Sequence, residues 1–293
     1  MPLFFIVAGL FLKPGKNIYL KRAKNLLVPY LVFAIVTYIY WRLFEMRFRP
    51  IGGEGFDPNK HFWDIFWQTH KFNFNVVLWF LPCLYFTITI ANLTFLYIKQ
   101  KWLIIIICCI WVVIVSLYIP NTQSMWIKEV LFTFPFVTIG FLLHSKFYDI
   151  DIKMKEISPF IRFLSVLPLI SIFFIPNGGD IHNTNFPNGY IYYLIIAIIC
   201  VASVYILSTM LTSQKWLLWL GRNTLVIMCL HEPLKRIVIK LFAIITHQDT
   251  DTIRESIIIS SIITAIIIIT LIPICKLVNK QLPWILGRSR DSK

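Results

Sequence analysis

The sequence predicts an all-α polytopic membrane protein, a bundle of about nine transmembrane helices. Of its 293 residues, 58% are hydrophobic and 14% are charged, whereas soluble domains have roughly 45–50% apolar and about 25% charged residues. Nine apolar stretches of about 20 residues would fill roughly 180 positions and leave short loops and one longer connector. A separate soluble domain does not fit, so we predict one integral-membrane domain over residues 1–293.

Hydropathy places the spans in order along the chain. A helix that crosses the hydrocarbon core needs about 20 predominantly apolar residues. The predicted spans are 2–12, 26–44, 76–98, 102–119, 126–143, 159–175, 190–211, 223–246 and 256–278. The first is too short to cross a membrane alone. A connector from Arg42 to Asn75 separates the second span from the third, and residues 176–190 form a polar outer loop.

Lysine and arginine predict the orientation, because cytoplasmic loops of membrane proteins are enriched in both. Assigning alternate loops to the cytoplasm places eighteen of the 28 basic residues inside and predicts a cytoplasmic carboxyl terminus. The other ten lie outside: Arg42, Arg47, Arg49, Lys60, Lys71, Lys128, Lys235, Arg236, Lys240 and Arg254. Loop enrichment of this kind accounts for the net charge of +14, which therefore gives no support to a nucleic-acid partner.

The amino terminus predicts a further helix upstream. Nine spans leave Met1 outside, so that residues 2–12 would enter the membrane from the far side without a preceding helix. The apolar stretch also precedes its charges, which is the reverse of the order in a cleavable signal peptide. One more span would give ten helices with both ends in the cytoplasm, and we expect the domain to be incomplete at its amino terminus.

Cysteine spacing and known motifs exclude several kinds of site. All six cysteines lie in apolar runs without metal-ligand spacing, which indicates small buried side chains. There is no nucleophile elbow, phosphate-binding glycine loop, zinc spacing or haem motif in the sequence. A serine or cysteine hydrolase is therefore disfavoured, and neither a metal nor a bound organic cofactor is predicted.

Three cations within four residues form the first candidate site. Lys21, Arg22 and Lys24 stand immediately before the chain enters the membrane. Such clusters are ordinary topology signals and contacts for anionic membrane lipids. They also suit a clamp for the phosphates of a cytoplasmic acyl-CoA, because charge-assisted hydrogen bonds to phosphate are strong. Both alternatives stay open on the sequence alone.

The second candidate site interrupts a long apolar stretch at His231. Ionisable groups at membrane depth are costly and usually face a cavity or one another. Pro233 would free a backbone carbonyl about one turn earlier, which favours a kinked, hydrated site. Alternatively, the ionisable residues between 231 and 236 mark the outer rim of a span that ends near Leu230. His231 is the best candidate for proton transfer, because imidazole titrates near neutral pH. The other candidate site residues in this stretch are Arg222, Asn223 and Glu232.

Aromatic residues beside the membrane boundary have structural explanations. Trp79 begins the span VVLWFLPCLYF, where aromatic packing or an interfacial kink at Pro82 accounts for it. The outer connector contains an aromatic cluster that is typical of interface anchors and also suits a sugar-stacking platform. Its members are Phe62, Trp63, Phe66 and Trp67.

Four segments in order, MPLFFIVAGLFLKP, KRAKNLLVPYLVF, LWFLPCLYF and GRNTLVIMCLHEPL, resemble the membrane acyltransferase family 3. The resemblance is to the branch similar to fucose 4-O-acetylases and polysaccharide O-acetyltransferases, and it runs the whole chain. It implies a ten-helix protein of the bacterial inner membrane. Such a protein moves an acyl group, usually acetyl, from cytoplasmic acetyl-CoA to a sugar hydroxyl of a surface polysaccharide or its lipid-linked precursor.

The resemblance also assigns residues. Lys21, Arg22 and Lys24 match the cytoplasmic basic motif thought to engage the donor, and His231 matches the histidine of the late G-x-N-[ST]-L…H-x-P pattern. Relatives carry a further first helix, which contains an Arg or Lys followed by a His about ten residues later. In these relatives, that histidine is expected to deprotonate the acceptor hydroxyl. The sequence begins after that helix, and His61 and His70 in the outer connector are poor substitutes.

Two other functions stay open. A translocator of polysaccharide or lipid-linked oligosaccharide would also use basic loops and aromatic rims, but it needs polar residues through several spans, and the spans outside residues 231–236 contain few ionisable groups. An inactive, truncated acyltransferase that serves as a scaffold is favoured only by the missing helix.

Overall fold

The computed structural model describes residues 1–44, 62–63, 65–66, 74–118, 127–164, 167–171, 179–211 and 214–287. Within these ranges the regular secondary structure is helical. The β-structure of the described residues is one isolated antiparallel bridge between Asp180 and Asn185. The connector histidines His61 and His70 lie outside the described residues, as does Trp67. The all-α class predicted from composition is confirmed for the part of the chain that the structure describes.

Twelve α-helices of four or more residues are described. In chain order they are α1 (Pro2–Leu10), α2 (Ile18–Leu43), α3 (Phe80–Tyr97), α4 (Lys101–Tyr118), α5 (Ile127–His144), α6 (Phe147–Glu156), α7 (Pro159–Leu164), α8 (Leu167–Ser171), α9 (Tyr190–Met210), α10 (Lys215–Thr246), α11 (Thr250–Glu255) and α12 (Ile257–Gln281). Short 3₁₀ turns at Val76–Trp79 and Pro283–Leu286 precede α3 and follow α12.

Five of the predicted spans correspond to helices that are long and apolar enough to cross a membrane. Among the described residues these are Ile18–Leu43, Val76–Tyr97, Ile127–His144, Tyr190–Thr209 and Ile257–Gln281. Several such helices in one chain make it a multi-pass membrane protein. The number is smaller than the nine spans that hydropathy predicts.

The other four predicted spans differ for local reasons. The first is a helix of only nine residues, α1, and the apolar part of α4, Lys101–Leu117, is also short for a span. The span predicted at 159–175 contains two short helices, α7 and α8. The span predicted at 223–246 is part of the 32-residue α10, which begins at Lys215 and contains several ionisable residues.

The described residues group into two compact units, each built from two stretches of chain. Unit 1 comprises Met1–Tyr19 and Cys83–Lys215, and unit 2 comprises Leu20–Pro82 and Trp216–Lys293. The single domain over residues 1–293 stays a prediction.

Unit 1 is built around α5, which is buried over the whole stretch from Phe132 to Thr138. Helices α1 and α5 cross with their backbones in direct contact. A β-carbon at Gly9 would collide with the carbonyl of Val137, and one at Gly140 would collide with the carbonyl of Ile6. Small residues permit such close crossings in membranes, where packing rather than hydrophobicity drives helix association. This crossing fixes the MPLFF segment against the centre of unit 1.

Polar side chains join α3 to its neighbours inside unit 1. The hydroxyls of Thr87 and Thr133 lie 2.7 Å apart in a fully buried position. Further along α3, the Asn92 side chain accepts from the Gly15 amide at 3.0 Å and donates to the Tyr19 hydroxyl at 2.7 Å. These bonds satisfy polar groups that would otherwise be costly at membrane depth.

Unit 2 packs the start of α2 against the turn that follows α12. Gly287 has φ of +70°, a left-handed conformation that favours glycine. A β-carbon there would also lie 2.5 Å from the Lys24 carbonyl oxygen. In the middle of α2, the Tyr30 hydroxyl donates to the Ile65 carbonyl at 2.6 Å. These contacts place the carboxyl end of α12 beside the basic cluster of α2.

Candidate functional site

All eight residues that the sequence marks as site candidates lie in unit 2. On α2 are Lys21, Arg22 and Lys24; in the turn before α3 is Trp79; on α10 are Arg222, Asn223, His231 and Glu232. Their geometry separates structural from chemical roles.

The middle of α10 contains the freed carbonyl that the sequence predicts. Pro233 has no amide hydrogen, so the carbonyl of Cys229 lacks its usual donor four residues on. The Asn75 side chain replaces that donor, with Nδ2 at 2.7 Å from the Cys229 oxygen. Asn75 is fully buried, and its Oδ1 has no hydrogen-bond partner among the described residues. The helix continues past this point to Thr246.

His231 lies two residues before this proline and is half-buried. Its Nδ1 is 2.9 Å from the Met228 carbonyl oxygen and 3.1 Å from that of Ile227. A carbonyl only accepts, so Nδ1 is the protonated nitrogen and donates to these oxygens. In the neutral ring the lone pair is then on Nε2. This is the tautomer in which a histidine can take a proton from a substrate hydroxyl.

Glu232 belongs to an ion-pair group on the carboxyl-terminal half of α10. Its carboxylate lies 3.4 Å from Arg236 Nε and 3.7 Å from Lys235 Nζ. These pairs have the (i, i+4) and (i, i+3) spacing of neighbours on one helix surface, whereas consecutive residues such as His231 and Glu232 do not face each other. Glu232 therefore orients two cations and does not orient the imidazole.

Asn223 joins α10 to α12. Its Oδ1 accepts from Asn279 Nδ2 at 2.6 Å, and its own Nδ2 donates to the Trp219 carbonyl at 2.8 Å. Asn279 also donates to the Cys275 carbonyl at 2.7 Å. Asn223 is thus a buried packing residue, while its neighbour Arg222 is exposed. Sequence analysis did not identify Asn279, although an amide in an apolar helix signals a polar partner on another helix.

The basic cluster lies at the same end of unit 2 as Asn223. The turn after α12 contacts α2 at Lys24, and α12 itself is bonded to Asn223 through Asn279. Lys21 and Lys24 are exposed, whereas Arg22 is half-buried. The Arg22 Nε is buried without a hydrogen-bond partner among the described residues. A buried donor of this kind needs an acceptor, and a phosphate oxygen would supply one.

Trp79 is only 4% exposed and lies in the 3₁₀ turn before α3. Its ring is 6.4 Å from that of Phe80 in an edge-to-face arrangement. This environment is the aromatic packing that the sequence predicts, and it gives Trp79 a structural role close to Asn75.

Unit 1 contains a pair of ionisable residues that sequence analysis missed. Glu129 is 2% exposed, and its Oε1 lies 3.0 Å from Nδ1 of His182. The loop that carries His182 is held by Asp180, whose Oδ1 accepts the His182 amide at 2.9 Å. The signal was Glu129, a carboxylate near the start of an apolar span, which requires a partner. A second missed histidine, His144, has its Nδ1 2.6 Å from the Leu10 carbonyl at the end of α1.

A metal centre has no support in the described ranges, where no group of three or more His, Cys, Asp or Glu side chains could hold an ion. The cysteines are all free, and three of them, Cys83, Cys229 and Cys275, are buried.

The comparison with protein families agrees with the resemblance of the four sequence segments. A family model described as an acyltransferase domain, of the acyltransferase 3 family, matches residues 1–275. The matched region contains all eight candidate residues. No curated protein and no solved structure matches the chain. The family match extends over almost the entire multi-pass chain, which therefore belongs to the acyltransferase 3 family.

Proposed function

We propose that this acyltransferase is an O-acyltransferase that moves an acyl group from cytoplasmic acyl-CoA to a sugar hydroxyl. The acyl group that we propose is acetyl. The acceptor is a surface polysaccharide or its lipid-linked precursor, and the enzyme works in a bacterial inner membrane with its carboxyl terminus in the cytoplasm. The observation that carries this proposal is that His231 Nδ1 lies within hydrogen-bond distance of the Met228 and Ile227 carbonyls. Because carbonyls only accept, this contact favours a proton on Nδ1 and a lone pair on Nε2.

The chemical step needs one base and no bound cofactor. The acceptor oxygen attacks the thioester carbonyl, the carbon–sulfur bond breaks, and the thiolate of CoA leaves. The hydroxyl proton passes to His231 Nε2, which can then protonate the departing sulfur. Because a thioester is already activated, the protein has to supply positioning, the base and stabilisation of the oxyanion.

Donor binding is assigned to the basic cluster of Lys21, Arg22 and Lys24. The buried Nε of Arg22 and the two exposed ammonium groups are suited to the phosphates of CoA. The cluster lies at the end of unit 2 where Asn223 joins α12, and Arg222 at that end is nine residues from His231, roughly 14 Å along a helix. CoA is a long molecule whose thioester is remote from its phosphates, so this separation in depth supports a division into a phosphate site and a reaction site.

The test is transfer of labelled acetyl from acetyl-CoA to glycan in membranes that contain the protein. We expect His231→Gln to lower the rate by about 10²–10⁴-fold, with unchanged amounts of folded protein. The control is His247→Asn, because His247 is an exposed histidine with φ of +54°, a conformation that asparagine tolerates. We expect Lys21→Gln and Lys24→Gln to raise KM for acetyl-CoA more than they lower kcat.

Two outcomes would reject the proposal. One is binding of both substrates without formation of acetylated glycan. The other is movement of the glycan across proteoliposomes without any CoA, which would identify a translocator.

A further inference from the structure

An exposed tryptophan lies in unit 2 close to the basic cluster of α2. Trp284 belongs to the 3₁₀ turn Pro283–Leu286 that follows α12, and it is 56% exposed. Its two successors in the turn, Ile285 and Leu286, are buried. The aliphatic side chains therefore anchor this turn, and the indole ring stays accessible to a ligand.

The turn packs directly on the helix that contains the basic cluster. The Gly287 amide donates to the Trp284 carbonyl at 2.9 Å. A β-carbon at Gly287 would lie 2.5 Å from the Lys24 carbonyl oxygen and 2.8 Å from Asn25 Cα. Lys21 is one helical turn before Lys24 and Asn25, so it lies on the same face of α2. Backbone contact thus holds the segment with the indole ring against the segment with the two lysines.

The cations of this region have no acidic residue in their own helices. Neither α2 nor α12 contains Asp or Glu, and the last turn of α12 adds Lys280 to the positive charge. The Nε of Arg22 is buried without a hydrogen-bond partner among the described residues. Because a buried donor requires an acceptor, this orphaned nitrogen is an independent sign of an anionic ligand.

Tryptophan is also common at membrane boundaries, where its ring suits the headgroup region. A boundary anchor of this kind needs only lipid. A nucleotide requires cations for its phosphates and a flat aromatic surface on which its base can stack. In CoA the adenine and the nearest phosphates are attached to one ribose, so their binding groups must be neighbours. The turn and the start of α2 meet this requirement.

We propose that Trp284 stacks on the adenine of the acyl-CoA donor while Lys21, Arg22 and Lys24 bind its phosphates. The inference rests on the proposed acyltransferase function and deepens it, because it assigns recognition of the base to one side chain. Trp284 lies after residues 1–275, the region that the family model matches. In the orientation predicted from the loops, the carboxyl end of α12 is on the cytoplasmic side, where acyl-CoA is available.

The test is equilibrium binding of two probes to the detergent-purified protein. Adenosine 3′,5′-bisphosphate represents the nucleotide half of CoA, and ribose 3,5-bisphosphate has the same phosphates without the base. We expect the parent to bind the adenosine compound about tenfold more tightly, which is the size expected for one stacked base. In Trp284→Leu this difference should disappear, and CoA should bind about tenfold more weakly. Trp284→Phe keeps a ring and should recover most of the affinity.

The matched control is Trp102→Leu. Trp102 is 59% exposed and lies at the start of α4 in unit 1, so it is an equally accessible tryptophan on another element. We expect this variant to bind both probes and CoA as the parent does. The comparison of the two bisphosphates in the parent needs no variant, so it tests the inference even if Trp284→Leu fails to fold.

Equal affinity of the parent for the two bisphosphates would overturn the inference. A tenfold difference that persists in Trp284→Leu would overturn the assignment of Trp284, as would an equal loss of CoA binding in Trp102→Leu. Absence of any CoA binding by the parent would instead reject the donor site of the proposed function, so the two failures are distinguishable.

Discussion

His182 in unit 1 and His231 in unit 2 both make hydrogen bonds through Nδ1, but to different kinds of acceptor. His182 faces the buried carboxylate of Glu129, whereas His231 faces backbone carbonyls one turn earlier in its own helix. Removing the first imidazole leaves a buried acid without its partner. Removing the second leaves carbonyls that already belong to a helix. The same side chain is therefore paired with a buried acid in one unit and with the backbone of its own helix in the other.

The largest effect that tests this difference is on stability. We expect His182→Ala to lower the free energy of unfolding by about 2–3 kcal/mol, since it leaves the buried carboxyl group of Glu129 without its hydrogen-bond partner. His231→Ala should cost less than about 1 kcal/mol. The measurement is thermal or denaturant unfolding of both variants in detergent. Equal losses in the two variants would contradict the distinction between the histidines.

A second substitution shows whether the cost comes from the stranded acid. In a His182→Leu background, we expect Glu129→Leu to recover about 1–2 kcal/mol, because it removes the buried carboxyl group that has lost its hydrogen-bond partner. A double-mutant cycle on the four proteins gives the coupling energy. A coupling near zero would show that Glu129 and His182 do not stabilise each other.

The pattern of apolar residues predicted the helical class and most helix bounds, because both depend on local composition. Tyr190–Met210 and Ile257–Gln281 lie within about three residues of the spans predicted at 190–211 and 256–278. The bond from Asn75 to Cys229 joins residues 154 positions apart and has no local signature. The sequence predicted that Pro233 frees a carbonyl, but the identity of its partner depends on tertiary packing.

The candidate residues also divide into those with a local signal in the sequence and those whose contacts depend on tertiary packing. His231 and the basic cluster stand out in the sequence as ionisable residues beside or within apolar stretches, and the structure adds that His231 Nδ1 contacts two backbone carbonyls. Asn223 was marked by its position in a motif, but its bonds to Asn279 and to the Trp219 carbonyl give it a packing role. Glu129 had a visible signal, yet its partner His182 lies in a loop that sequence analysis passed over as a plain outer connection.

A further expected effect concerns the bond from Asn75 to the Cys229 carbonyl, which lies in α10 two residues before His231. Asn75→Ala removes the donor to the Cys229 carbonyl, and we expect a loss of about 1–3 kcal/mol because a buried acceptor is left unsatisfied. Pro233→Ala supplies a backbone amide at the position from which a helix normally bonds that carbonyl. In the Pro233→Ala background, Asn75→Ala should therefore cost clearly less than it does alone. Unfolding of the four proteins in one detergent measures this difference, and an undiminished loss in the Pro233→Ala background would show that Asn75 stabilises unit 2 by another route.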